Sequence, residues 1–263
     1  MIPKVIHYCW FGENPYPELT KKCIESWKKF CPDYEFIEWN EDNFDVNCNQ
    51  YVEEAYDAKK WAFVTDYVRL FALYNYGGIY LDTDMEIIKS IDDFLSYPAF
   101  SGFENECMIP TAIMGAHKHN NWIKLLLGYY DKKHFIKPDG TMDLTTNVET
   151  ITALTREMYN IEFNNTVQYV EDEFIIFPNC YFCPKSYYTG KISISNETRA
   201  IHHFNGSWQD EPAQGERKRQ IRYRRVFGEK IGNRILQFIA MYKRKDGSLK
   251  RGIIHFIKRK LKK

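Results

Sequence analysis

The stretch YGGIYLDTDME, residues 76–86, decides how the chain is read. Two glycines stop the helix before them, Ile79 to Leu81 make a short apolar strand, and Asp82 and Asp84 stand at its end. In an extended segment the two carboxylates share one face, about 6 to 7 Å apart at roughly 3.3 Å per residue, so both reach one small cation only if the chain turns or water intervenes. Hard divalent cations such as Mg²⁺ and Mn²⁺ take oxygen ligands and leave positions for phosphates, so Asp-Thr-Asp suits a metal that holds a diphosphate. By itself the triplet reads more readily as a solvated turn.

Its surroundings change the balance. A long helix is expected over residues 52–76, with Ala62, Phe63, Phe71 and Leu73 among its apolar positions. Asp66 and Arg69, three apart, lie on one face of it. They read either as an ordinary surface ion pair, worth a few tenths of a kcal/mol, or as a carboxylate and a guanidinium suited to gripping sugar hydroxyls. Upstream, residues 2–9 read as a buried strand ending in the aromatic turn Trp10-Phe11-Gly12, residues 18–30 as a helix, and YEFIEWN (34–40) as a second strand. Alternating strands and helices predict an α/β fold with a Rossmann-like, mostly parallel sheet covered by helices on both faces, and ligands beyond the carboxyl ends of strands.

Downstream, PAFSGFE (98–104) and CMIPTAIMGA (107–116) read as strands, and NNWIKLLLGYYDKK (120–133) and ETITALTREMYN (149–160) as helices. VQYVEDEFIIFPNCYFCP (167–184) mixes strand and loop, and AIHHFNGSW (200–208) is a short strand delivering polar groups. With 263 residues, 44% of them hydrophobic, the chain can build one sizeable core. Seven cysteines, an odd number, predict reduced thiols and a cytoplasmic protein. The opening MIPKVIHYCWFG has no charged leader followed by a long apolar run, and no window approaches 18 apolar residues, so neither a secretion signal nor a membrane span is expected.

The net charge of +1 hides an asymmetry. Residues 217–263 hold 18 of the 36 Lys and Arg and only two acids, Glu229 and Asp246, a net +16 against −15 for the rest. The division expected is a catalytic domain over 1–215 and a basic helical appendage over 216–263. Leu249, Ile253, Phe256, Ile257 and Leu261 recur at helical spacing among lysines and arginines, the pattern of a cationic amphipathic helix suited to an anionic membrane surface. A terminal helix packed on the domain is the bland alternative, and nucleic-acid binding a remoter one.

The run WAFVTDYVRLFALYNYGGIYLDTDM (61–85) closely resembles the Asp-x-Asp region of the family-32 glycosyltransferases, which include initiating mannosyltransferases and capsular polysaccharide enzymes. It is similar also to the glucosylating domain of large clostridial toxins. IPKVIHYCWFG (2–12) resembles that family's first strand and aromatic turn, and HHFNGSW (202–208) its closing motif. The resemblance implies a GT-A fold and a metal-dependent, retaining transfer of a hexose from a nucleotide sugar in surface polysaccharide synthesis. A UDP-sugar is favoured as donor, with GDP-mannose the alternative. By the same resemblance Trp10 stacks on the base, Asp66 and Arg69 hold donor hydroxyls, Asp82 reaches sugar or ribose, and Asp84 ligates Mn²⁺ or Mg²⁺. Ser207 and Trp208 close over the phosphates, and His203, with His202 beside it, completes the metal shell. The acceptor expected is a glycan or lipid-linked saccharide, which places the protein on the inner face of the plasma membrane.

Other signals weigh less. Cys180 and Cys183 have half-zinc spacing without a second cysteine pair, and His117 and His119 lack a carboxylate companion. A haloacid-dehalogenase-type phosphotransferase also sets Asp-x-Asp after an apolar strand, but it wants Thr or Val where Glu86 stands. A non-catalytic nucleotide-sugar or glycan-binding module is the main alternative to the enzyme.

Overall fold

The computed structural model describes residues 1–206 and 211–243. These fall into two compact units, one built from Met1–Pro184 and the segment beginning at Ser193, the other from Lys185–Ile192 and the two C-terminal helices. The boundary expected at residue 215 lies inside the first of those helices, α6 below.

The first unit runs β1 (Val5–Cys9), α1 (Glu18–Phe30), β2 (Glu35–Trp39), α2 (Gln50–Asp57), α3 (Trp61–Tyr76), β3 (Gly78–Leu81), β4 (Met85–Ile87), β5 (Ala99–Gly102), β6 (Ile113–Ala116), α4 (Asn121–Gly128), α5 (Asn147–Met158), β7 (Gln168–Val170), β8 (Phe174–Phe177) and β9 (Ala200–His202). Seven strands form one sheet in the order β2-β1-β3-β6-β5-β8-β7, while β4 and β9 pair separately. The pairings β1·β2, β1·β3 and β5·β8 are parallel and the three others in the large sheet antiparallel, so β6 and β7 alone run against the common direction. The expected α/β architecture, with its mainly parallel sheet, is the one formed.

Side-chain alternation along the strands supplies two cores. Tyr80, Met114, Phe174 and Ile176 pack on one face with α3 and α4, while Ile79, Leu81, Ile113, Ile175 and Phe177 pack on the other with Trp27 of α1. Strands buried on both faces read as continuous apolar runs, as GIYL and FIIF do.

The helix expected over 52–76 is two helices. Lys59 takes φ 55°, and the Lys60 and Lys59 amides donate to Ala55 and Tyr56 carbonyls, the pair of bonds that closes a Schellman turn. α3 then runs without a break to Gly77 (φ 68°) and Gly78 (φ 107°). A Cβ on Gly78 would meet the Val5 carbonyl at 2.7 Å, so only glycine lets α3 feed β3 this tightly. His7 fixes the same corner: Nε2 lies 2.7 Å from the Gly77 carbonyl, and Nδ1 accepts from the Trp39 indole at 3.2 Å.

In the second unit, α6 (Glu211–Phe227) and α7 (Glu229–Lys243) form a helical hairpin turning at Gly228 (φ 77°). Arg217 and Arg224 guanidinium groups lie over the rings of Tyr187 and Tyr188. The amphipathic run at residues 249–261 lies outside the described residues.

Candidate active site

β1 and β3 are parallel neighbours, with His7 opposite Tyr80, so their carboxyl ends lie side by side: Cys9 and Trp10 on one, Asp82 on the other. Past Leu81 the chain turns, the Met85 amide donating to the Asp82 carbonyl at 2.9 Å. That turn brings together two carboxylates which a straight strand would hold apart. β4 then pairs with β9, placing His202 opposite Met85.

One carboxylate oxygen of Asp82, one of Asp84 and a ring nitrogen of His202 all lie within 4.8 Å of one another. Atoms bound to a common cation at about 2.1 Å can be no more than about 4.2 Å apart, so a contraction of roughly half an ångström suffices. Two carboxylates suit Mg²⁺ or Mn²⁺, and the imidazole is a ligand that Mn²⁺ accepts readily. The residues therefore fit a divalent cation.

Each carboxylate is held from behind. Tyr80 donates its hydroxyl to Asp82 Oδ1 at 3.0 Å, and Arg69 Nη1 stands 3.2 Å from the same oxygen. The Asn205 amide donates to Asp84 Oδ2 at 2.7 Å, and His202 Nε2 stands 3.4 Å from Oδ1. Burial alone would raise the Asp84 pKa, but His202 and the Asn205 amide outweigh it and hold it at about 2. Burial would lower His202, yet the Asp84 charge leaves it well above the ordinary histidine range. Asp82 keeps 26% of its side chain exposed and Asp84 15%, so both remain reachable.

The histidine facing Asp84 is thus His202, where the sequence favoured His203. Neighbouring residues leaving a strand point to opposite sides, so only one of the two can face Asp84. His203 turns to Glu86, with Nε2 2.7 Å from Oε2, while Lys22 of α1 holds the other Glu86 oxygen at 2.9 Å.

Arg69 is held by protein groups on several sides. Four hydrogen bonds run from it to protein acceptors, Nε to the Thr65 carbonyl, Nη2 to the Thr65 hydroxyl and to Asp66, and Nη1 to the Thr111 carbonyl, and Nη1 also forms an ion pair with Asp82. At 4% exposure it stands as a brace between two carboxylates. Asp66 is buried beside it. Burial pushes its pKa up and Asp82 adds to this, while Arg69 opposes, leaving it at about 7. Trp10 is half-buried, its indole N–H donated to the Asn14 carbonyl at 2.6 Å and its ring edge-on to Tyr16. Ser207 and Trp208 lie outside the described residues.

Asn147, given no individual role from the sequence, is brought to the same corner. It opens α5 and donates from Nδ2 to the Asp66 carbonyl at 3.2 Å. The signal for that helix start was present: Thr146 and Glu149 form a reciprocal capping box.

Residues 17–101 match the family described as the glycosyltransferase sugar-binding region containing a DXD motif, and Asp82-Thr83-Asp84 supplies that motif within the matched span. An inositol phosphoceramide mannosyltransferase of Schizosaccharomyces pombe is 28% identical over 196 residues, covering 72% of this chain and 56% of the relative. A mannosyl phosphorylinositol ceramide synthase of Saccharomyces cerevisiae is 30% identical over 150 residues, 52% of this chain and 37% of that one. This chain spans little more than half the length of the first of these relatives and less of the second. Among solved structures, a glycosyltransferase involved in glycosylation of the PBCV-1 major capsid aligns over 83% of this chain and 99% of its own, at 13% identity and a TM-score of 0.45.

Proposed function

We propose that the chain is a metal-dependent glycosyltransferase that moves a hexose from a nucleoside diphosphate sugar to a saccharide or lipid-linked acceptor. The observation that carries this reading is the convergence of Asp82 and Asp84, both inside the family-matched segment, with His202 at the carboxyl end of β3. A divalent cation bound there supplies positive charge where the leaving diphosphate becomes more negative. The chain's own residues prepare the position. Arg69 and Tyr80 fix Asp82, the Asn205 amide fixes Asp84, and the burial of the surrounding side chains strengthens each of these charges. Trp10, at the neighbouring strand end, offers indole surface for a nucleotide base.

The named relatives transfer mannose, which puts a mannosyl donor first among those to test, ahead of the UDP-sugar the sequence suggested. Those names also favour a phosphoinositol-bearing lipid as acceptor over a capsular glycan. Retention by attack on the face from which the leaving group departs completes the proposal, and the anomeric configuration of the product, read by NMR, decides it.

The deciding experiment is thermal stabilisation and donor hydrolysis with GDP-mannose and a panel of UDP-sugars, with and without Mn²⁺. One donor should raise the melting temperature and be turned over only with the metal. Asp84→Asn should abolish metal-dependent turnover while leaving the fold intact. A variant with near-full activity refutes the assignment, and binding without any turnover would favour the non-catalytic module.

A further inference from the structure

We infer that Phe204 is a positioning residue for the cation site, its ring setting the direction in which the His202 imidazole faces. The inference rests on the cation reading above. A histidine that ligates a metal ordinarily ties its second ring nitrogen to a carboxylate, a carbonyl or water, and that bond fixes the ring. Nδ1 of His202 is buried and has no hydrogen-bond partner among the described residues. The Cys183 thiol stands beside it, a weak partner for a nitrogen.

What packs against the ring is Phe204. The two ring centroids lie 4.0 Å apart, tilted by 38°. Two residues apart on a straight strand, these side chains would be separated by about 7 Å. They meet because Phe204 takes φ 53°, a left-handed conformation that a bulky aromatic residue rarely adopts. The same turn aims the Asn205 amide at Asp84 Oδ2, 2.7 Å away. With Phe204 only 8% exposed, the aromatic ring is wedged behind the imidazole and not displayed to solvent. One strained residue thus serves both partners of Asp84: its side chain backs His202 and its backbone delivers Asn205.

Ring and backbone can be separated experimentally. Phe204→Gly keeps and eases the positive φ while deleting the ring, and Phe204→Tyr keeps the ring. Mn²⁺ titrated into the full chain, with free metal read by electron paramagnetic resonance, compares both with wild type and with Asp84→Asn. Phe204→Gly should bind Mn²⁺ on the order of tenfold more weakly, the size of effect seen when support behind a ligand is lost, while Phe204→Tyr stays within about twofold. A melting temperature for Phe204→Gly well above the titration temperature separates this loss from unfolding, and some fall is expected because a buried ring is removed. Equal affinity of Phe204→Gly and wild type overturns the inference, as does an equal loss in both variants. Absence of Asp84-dependent Mn²⁺ binding in wild type overturns the cation reading and this inference together.

Discussion

Replacing Arg69 with methionine removes the brace between Asp66 and Asp82. The side chain is 4% exposed and meets both carboxylates at 3.1 and 3.2 Å and the Thr111 carbonyl at 2.8 Å. Removing one partner of such a buried cluster leaves uncompensated charge and costs about 3–5 kcal/mol. At about 2–4 °C per kcal/mol for a unit of this size, the melting temperature should fall by roughly 6–20 °C. Fluorescence of Trp27, Trp39 and Trp122, all buried in the first unit, reports the transition. The loss should depend on pH with a definite sign. Asp66 already sits at about 7, and without Arg69 it rises further, because burial then acts with less opposition. A carboxyl whose folded pKa is raised favours the folded state at low pH, so the loss should be smaller at pH 6 than at pH 8. A fall of less than about 2 °C, or one that ignores pH, would refute the brace. Unchanged stability with weakened donor binding would return Arg69 to the sugar.

Gly115→Ala should destabilise by about 1–3 kcal/mol, since its Cβ would lie 2.1 Å from Phe100 Cε1; chemical denaturation with a midpoint equal to wild type would contradict this. His7 is buried and its pKa is lowered, chiefly by desolvation. Its contribution to stability should be complete above the ordinary histidine value of 6.5 and be lost as pH falls below it. Denaturation between pH 7 and 5 should show that fall, shallower in His7→Gln, and identical slopes would count against it. Deleting residues 245–263 should lower binding to anionic vesicles and spare donor hydrolysis, whereas equal binding of the full chain to neutral and anionic vesicles would remove the case for membrane contact.

Much of the fold was legible because its signals are local. The strand-helix-strand opening, the Gly77-Gly78 stop and the strand ending at Asp82 each follow from apolar spacing and two glycines. The break at Lys59 was hidden, because a lysine in the left-handed region has no signature in the sequence. The site was legible as a set of residues and less so as roles. Asp66 and Arg69 are on one face of α3 as their spacing required, but that this face is buried and the guanidinium held by protein groups depends in part on Thr111 from 42 residues away. The choice between His202 and His203 depended on the pairing of β9 with β4, a contact across 117 residues that no window of sequence contains.

That pairing has a consequence for how the protein is made. Asp82 and Asp84 leave the ribosome well over a hundred residues before His202 and Asn205, the groups that face Asp84. The large sheet gains its last strand, β8, at Phe177, so its strands are complete while Asp84 still lacks the histidine and the amide that face it. A chain ending before Ala200 should therefore fold around an incomplete site, and metal affinity should appear only as the closing segment docks on β4, more than a hundred residues earlier in the chain.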